Sequence, residues 1–314
     1  VPIHDRLDEM HAKVHRAMPA DLMDFDDIPG VRRRVRDLRS RMRRPAPPDD
    51  VQCEDVLFGR DQTVNVRIYR PLAPRSAGAV LWIHGGGMVL GDLDMEDVYC
   101  SALCTRLGAM VIQVDYRLAP EHPFPAALDD CIAVFEHLVD HSVSLSIDPR
   151  QIIVGGASGG GNLAAALCLD RRDSELAPSF QFLMYPLLDD RIREYASPSA
   201  DDPKVWNARD NANTWRAYLS GLPAGTEVPH LAAPARAATL AGLPPTHMCI
   251  GDLDLFLGEV LVYAGRLAGS GVPISLQVYP GAFHASNNFV SNSPIAKRWF
   301  EDDVKVLSEV LISV

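Results

Sequence analysis

Nowhere in its 314 residues does this chain carry an apolar run of about 18 residues, the length a helix needs to cross a bilayer. A surplus of positive charge is missing too. Against 41 Asp and Glu stand 30 Lys and Arg, and the net charge of −11 argues against nucleic acid as a partner. Cysteine is sparse: Cys53, Cys100, Cys104, Cys131, Cys168 and Cys249, with no Cys-x-x-Cys pair, so no disulfide framework is expected. Cys100 and Cys104 stand one helical turn apart, but no histidine lies within zinc-site spacing of them. Two core-facing thiols on a helix is the better reading, and no metal is expected. Residues Val1 to Arg6 lack the basic-then-apolar layout of a secretory leader. A reducing cytoplasm is the expected compartment. Internal repeats and low-complexity tracts do not occur.

What remains is a chain that is 47% hydrophobic, long enough to bury a large core. Its charge is uneven: residues 1–44 hold eleven basic and eight acidic side chains, so the rest is strongly acidic. In that first segment Ile3, Leu7, Met10 and Val14 recur at helical spacing, as do Val31, Val35, Leu38 and Met42. Two amphipathic helices are expected, separated by Met18-Pro19 and Ile28-Pro29-Gly30 and closed by Pro45-Ala46-Pro47-Pro48. The arginines from Arg32 to Arg44 read as a solvated face rather than an anion or membrane contact. A hairpin follows, Val51 to Phe58 and Thr63 to Tyr69, turning at Gly59-Arg60-Asp61. Short apolar runs come next, at 79–83, 110–114, 152–154, 180–185, 246–250 and 274–279. Helix-like segments at 98–107, 126–141, 162–171 and 259–268 lie between most of them. This alternation predicts an α/β fold, an eight-stranded, mostly parallel sheet covered by helices on both faces. The polar stretch 191–234 is too long for a connection and is expected to be a helical cap insertion. The domain reading is therefore 1–48 as N-terminal cap helices and 49–314 as the catalytic domain.

Four strand exits carry chemistry. Gly156-Ala157-Ser158-Gly159-Gly160 follows Ile152–Val154, and a glycine two positions either side of Ser158 permits the sharp turn that lifts a nucleophilic hydroxyl off a strand end. His84-Gly85-Gly86-Gly87 follows Ala79–Ile83. Its glycines free backbone N–H groups to meet an oxyanion, and such donors are worth about 3–4 kcal/mol each. Gly159 is placed to supply a further N–H. Asp252-Leu253-Asp254 offers a carboxylate to orient a base, and spacing alone leaves both aspartates open. His284 follows the last strand on a glycine-bearing loop and is the candidate base. Asp115 is a rival acid, explained more simply as a salt-bridge partner of Arg117. The order Ser, Asp, His along the chain is that of the α/β-hydrolase fold.

From about residue 50 onward the chain resembles the hormone-sensitive-lipase-like esterases of the α/β-hydrolase superfamily. The resemblance rests on His84–Gly87, Asp115–Ala126, Gly156–Ala164 and Tyr185–Asp190. It implies Ser158 as nucleophile, His284 as base and Gly86, Gly87 and Gly159 as the oxyanion hole. Counted back from Glu259 and Tyr263, the family's acid motif selects Asp254. His84 would shape the glycine loop rather than exchange protons. The resemblance further implies a carboxylesterase acting on a small-molecule ester of short-to-medium acyl length, with no cofactor and possible homodimers. An amidase, lactonase or carbamate hydrolase would use the same triad. The related gibberellin receptors lose the catalytic histidine, which is kept here. Two departures stand out: Ala157 and Gly159 flank the serine where relatives carry an acidic or hydroxyl residue and alanine, and Met88 replaces an aromatic residue. Met88, Trp206, Trp215, Phe256 and Phe283 are expected to line the pocket, from their positions at strand exits or in the insertion.

Overall fold

A computed structural model describes residues 3–20, 22–41, 46–59, 63–191, 197 and 199–312. The expected features at Met42 to Pro45, the Arg60-Asp61 turn and part of the insertion lie outside them. Eight strands are found: β1 (Val51–Phe58), β2 (Val64–Pro71), β3 (Ala79–Ile83), β4 (Met110–Val114), β5 (Ile152–Ala157), β6 (Phe180–Met184), β7 (Thr246–Gly251) and β8 (Ile274–Tyr279). They form one sheet in the order β1-β2-β4-β3-β5-β6-β7-β8. β1 and β2 are antiparallel, β2 is antiparallel to β4, and every remaining pair is parallel. Every residue of β3, β4, β5, β6 and β7 is buried, because helices cover both faces of a parallel sheet. The edge strands β1 and β8 are only partly buried.

The helices are α1 (Glu9–Ala17), α2 (Ile28–Arg41), α3 (Asp97–Leu107), α4 (Ala126–Asp140), α5 (Ser142–Leu145), α6 (Gly159–Arg171), α7 (Ala208–Tyr218), α8 (Leu257–Gly269), α9 (Ser286–Phe289) and α10 (Pro294–Ile312). Two boundaries differ from expectation. The first helix begins at Glu9, not Ile3, because the Asp8 side chain accepts from the Met10 N–H and caps it there; Ile3–Asp5 is a separate 3₁₀ turn. Ile28-Pro29-Gly30 opens α2 rather than separating helices, since a proline in the first turn lacks only an N–H that would have no partner anyway. Met10 and Leu38, members of the two apolar stripes, are exposed. The 19-residue α10 was not anticipated; it buries Ala296, Trp299, Asp303 and Leu307, spaced three and four apart. Within 191–234 the described residues carry a single α-helix, α7.

The arginines of α2 are not simply solvated. Arg32 donates to the main-chain carbonyls of Val89 and Ala119 and pairs with Glu121, and Arg39 pairs with Asp92. They pin α2 across the loop that leaves β3. A satellite core of Ile3, Met18, Val205, Leu253, Phe283 and Val290 ties the first residues to the loops beyond β7 and β8. Among the described residues no helix is long and apolar enough to cross a membrane. Cys100 and Cys104 are both buried, and burial pushes both thiols above their usual range.

Candidate active site

Strand order brings the chemistry together. β3 lies beside β5, so the glycine loop leaving β3 meets the serine turn leaving β5; β7 lies beside β8, so the exits bearing Asp254 and His284 adjoin. Ser158 sits at φ 54° and ψ −116°, a conformation costly for any residue with a Cβ. Close backbone contacts explain the flanking glycines. A Cβ on Gly156 would stand 2.4 Å from the Gly160 carbonyl oxygen, and one on Gly160 would stand 2.0 Å from that of Ile83. The strained turn is held by the Ser158 N–H donating to the Met184 carbonyl and by Leu187 N–H donating to the Ser158 carbonyl.

From that turn a relay of hydrogen bonds runs inward. The Ser158 Oγ lies 2.9 Å from His284 Nε2, and His284 Nδ1 lies 2.8 Å from Asp254 Oδ2. The other Asp254 oxygen accepts from the Phe256 N–H at 2.9 Å, which fixes the carboxylate plane. Asp252 faces elsewhere: it accepts from the Gly281 N–H at 2.7 Å and pairs with Arg6. Asp115 is also apart from the relay. Its expected partner Arg117 instead holds Asp130, through both its backbone N–H and its guanidinium, while Asp115 meets Asn65. Asp130 is buried on α4 and accepts both donors of Arg117 at once, an arrangement that adds geometric specificity to the charge.

The glycine loop adjoins the serine. Gly86 and Gly87 have φ of 109° and 59°, and a Cβ on Gly159 would lie 2.8 Å from the Gly87 nitrogen and 2.8 Å from Met88 Sδ. A methyl at 159 would therefore crowd both the Gly87 backbone and the Met88 sulfur, and an alanine there would require this loop to shift. His84 is fully buried, stacks on Tyr116 and meets the Gly85 carbonyl through Nδ1 at 2.8 Å. Burial pushes it down to about 4, so it is neutral near pH 7, and a carbonyl can only accept, so Nδ1 carries the proton.

Three neighbours were not expected as site residues, although Tyr185 opens the Tyr185–Asp190 motif. Glu96, at the start of α3, accepts from the Gly85 N–H at 3.2 Å and from the Trp82 indole, and so braces the base of the glycine loop from below. Burial pushes its carboxyl up to about 7, against those two hydrogen bonds. Tyr185, at φ 35°, packs its ring edge-to-face on His284 with centroids 4.9 Å apart, and Trp299 packs behind it. Of the expected pocket residues, Trp206 and Phe256 pack on the His284 ring at 5.7 and 5.1 Å. The Trp206 ring also closes over Gly87, within 2.8 Å of where a Cβ would stand. Phe283 turns away from the relay, into the satellite core against His11 and His15, because its neighbour His284 faces the serine. Trp215 packs on Tyr218, with no ring contact to the relay among the described residues.

The family model of the alpha/beta hydrolase fold matches residues 80–288. Esterase LipI of Mycobacterium tuberculosis is 34% identical over 295 residues, covering 92% of this chain and 91% of that protein. The chain belongs to the hormone-sensitive-lipase-like esterases of the α/β-hydrolase superfamily. This α/β-hydrolase is also 31% identical over 275 residues to ethyl acetate hydrolase of Pseudomonas putida, covering 86% of this chain and 85% of that one. Among solved structures, a bacterial heroin esterase superposes with a TM-score of 0.91 at 35% identity, covering 98% of each chain.

Proposed function

We propose that this α/β-hydrolase is a carboxylesterase that cleaves short-to-medium acyl esters through an acyl-enzyme on Ser158. The observation that carries the reading is the continuous relay from Asp254 through His284 to Ser158. His284 Nε2 takes the hydroxyl proton as Oγ bonds to the ester carbonyl carbon. The carbonyl electron pair moves to oxygen, held by the N–H groups of Gly86, Gly87 and Gly159. As the tetrahedral intermediate collapses, His284 returns the proton to the departing alcohol. Water, activated by the same nitrogen, then releases the acid and restores the serine. Asp254 keeps Nδ1 protonated and stabilises the imidazolium without itself taking the proton.

The walls support a short acyl range. Met88, Trp206 and Phe256 are all buried, and Trp206 lies on the glycine loop and against the His284 ring, so bulky apolar side chains stand beside the relay. The ethyl acetate hydrolase among the relatives is named for a short ester, in keeping with this range. Replacing Ser158 by alanine tests the nucleophile. Turnover of p-nitrophenyl butyrate should fall by at least about 10⁴-fold with the circular dichroism spectrum unchanged; turnover within tenfold of the parent would remove Ser158 from this role.

A further inference from the structure

Away from the serine, the start of β7 carries a second constellation. His247 and Cys249 are two residues apart on this strand, so both side chains leave the same face of the sheet. α10 covers that face and presents Asp303. All three residues are buried, and their donor atoms lie within 4.8 Å of one another.

We propose that His247, Cys249 and Asp303 form a zinc-binding site that clasps α10 to β7, separate from the catalytic relay. Four observations support it. First, the Cys249 Sγ lies 3.8 Å from Asp303 Oδ1. Zn–S and Zn–O bonds at a tetrahedral ion place sulfur and oxygen about 3.5 Å apart, so an ion fits with a small adjustment. Second, His247 Nδ1 is engaged with Ser275 Oγ at 2.6 Å, while its buried Nε2 has no hydrogen-bond partner. A nitrogen with its lone pair free, on a ring oriented through the other nitrogen, is how histidine is prepared for a metal. Third, the remaining Asp303 oxygen is held by the Tyr99 hydroxyl at 3.0 Å, giving the carboxylate an outer partner as well. Fourth, the charges balance. One thiolate and one carboxylate neutralise Zn²⁺, the thiol and carboxyl protons both leave to solvent on binding, and no net charge enters the core. A surface depression lined by His247, Ser275, Gln277, Asp302 and Lys305 adjoins the cluster on its His247 side. The mixed nitrogen, sulfur and oxygen donors suit zinc rather than magnesium or calcium, and leave a fourth position for water.

The test uses the full chain, stripped with chelator and dialysed. Titration with Co²⁺ is expected to saturate at one ion per chain with a near-ultraviolet thiolate-to-cobalt charge-transfer band, and Zn²⁺ should displace that ion. Cys249→Ser should abolish the band while leaving ester turnover intact. Ser275→Ala, which removes only the outer partner, should weaken binding by about 10- to 100-fold. A parent protein that takes up no stoichiometric Co²⁺ would overturn the proposal whatever the variants do. So would a band that persists in a folded Cys249→Ser protein, since the thiolate would then lie elsewhere.

Discussion

Asp252 and Asp254 leave the same strand two positions apart, yet only one reaches the imidazole. The turn after β7 aims Asp254 at His284 Nδ1, while Asp252 fastens the Gly281 loop and Arg6. Their substitutions should therefore diverge. Asp254→Asn leaves the ring in place but offers Nδ1 the wrong partner, and kcat for p-nitrophenyl butyrate should drop by roughly 10³–10⁴-fold. Asp252→Asn keeps an oxygen for the Gly281 N–H and should stay within about tenfold of the parent, the size of one lost hydrogen bond. Steady-state kinetics of the two variants side by side check this, and the reverse ranking would exchange their assignments. Residue spacing could not separate these aspartates because both stand at the same strand exit; the family motif could, through Glu259 and Tyr263. Glu96 and Trp299 were beyond reach for another reason. Each acts through a contact made across the fold, and neither sits in a pattern that distinguishes it from ordinary buried residues.

At the scale of elements, the sheet was easy to read and the cap was not. Runs such as Ala79–Ile83 and Met110–Val114 are apolar throughout because both faces are covered, and this signal needs no knowledge of neighbours. The helices outside the sheet depend on context. The N-terminal helix starts where Asp8 caps it, Pro29 begins α2 rather than ending a segment, and the buried stripe of α10 includes a charged residue, Asp303. The same dependence governs the pocket. Trp206 comes from the polar insertion just ahead of α7, and it contacts Gly87, His284, Phe25 and Phe256 at once. Removing its indole should widen the acyl site, since each methylene accommodated in an apolar pocket is worth about 1–3 kcal/mol. For Trp206→Ala, the ratio of kcat/KM for p-nitrophenyl octanoate to that for butyrate is expected to rise at least about tenfold. An unchanged ratio would mean that the cap does not set chain length.

For the whole molecule, the glycine loop makes stability depend on pH through a group beneath it. Glu96 is raised from its ordinary 4.5 to about 7 by burial, and the neighbouring ionisable groups Cys100, Tyr116 and Tyr185 are themselves kept neutral by burial. Because the folded protein holds this proton more tightly than the unfolded chain, the contribution is fully present below about pH 4.5 and is lost as pH rises through about 7. Glu96→Gln cannot ionise. Its Tm relative to the parent should climb across that window and level off above it, and calorimetric scans at several pH values would show a flat difference if Glu96 were not the group responsible. The global plan, a hairpin followed by alternating strands and helices with Ser, Asp and His at three of the strand exits, was legible from the chain alone. What tied those exits into one site was strand order, which places β3 beside β5 and β7 beside β8. The resulting claim, that Ser158 is the atom donor to the acyl-enzyme, is open to a single direct measurement. Mass spectrometry of the full chain after inactivation with diethyl p-nitrophenyl phosphate should find one phosphoryl adduct per molecule, on the peptide bearing Ser158, in proportion to lost activity. Complete inactivation with Ser158 unmodified and the label on another residue would contradict it.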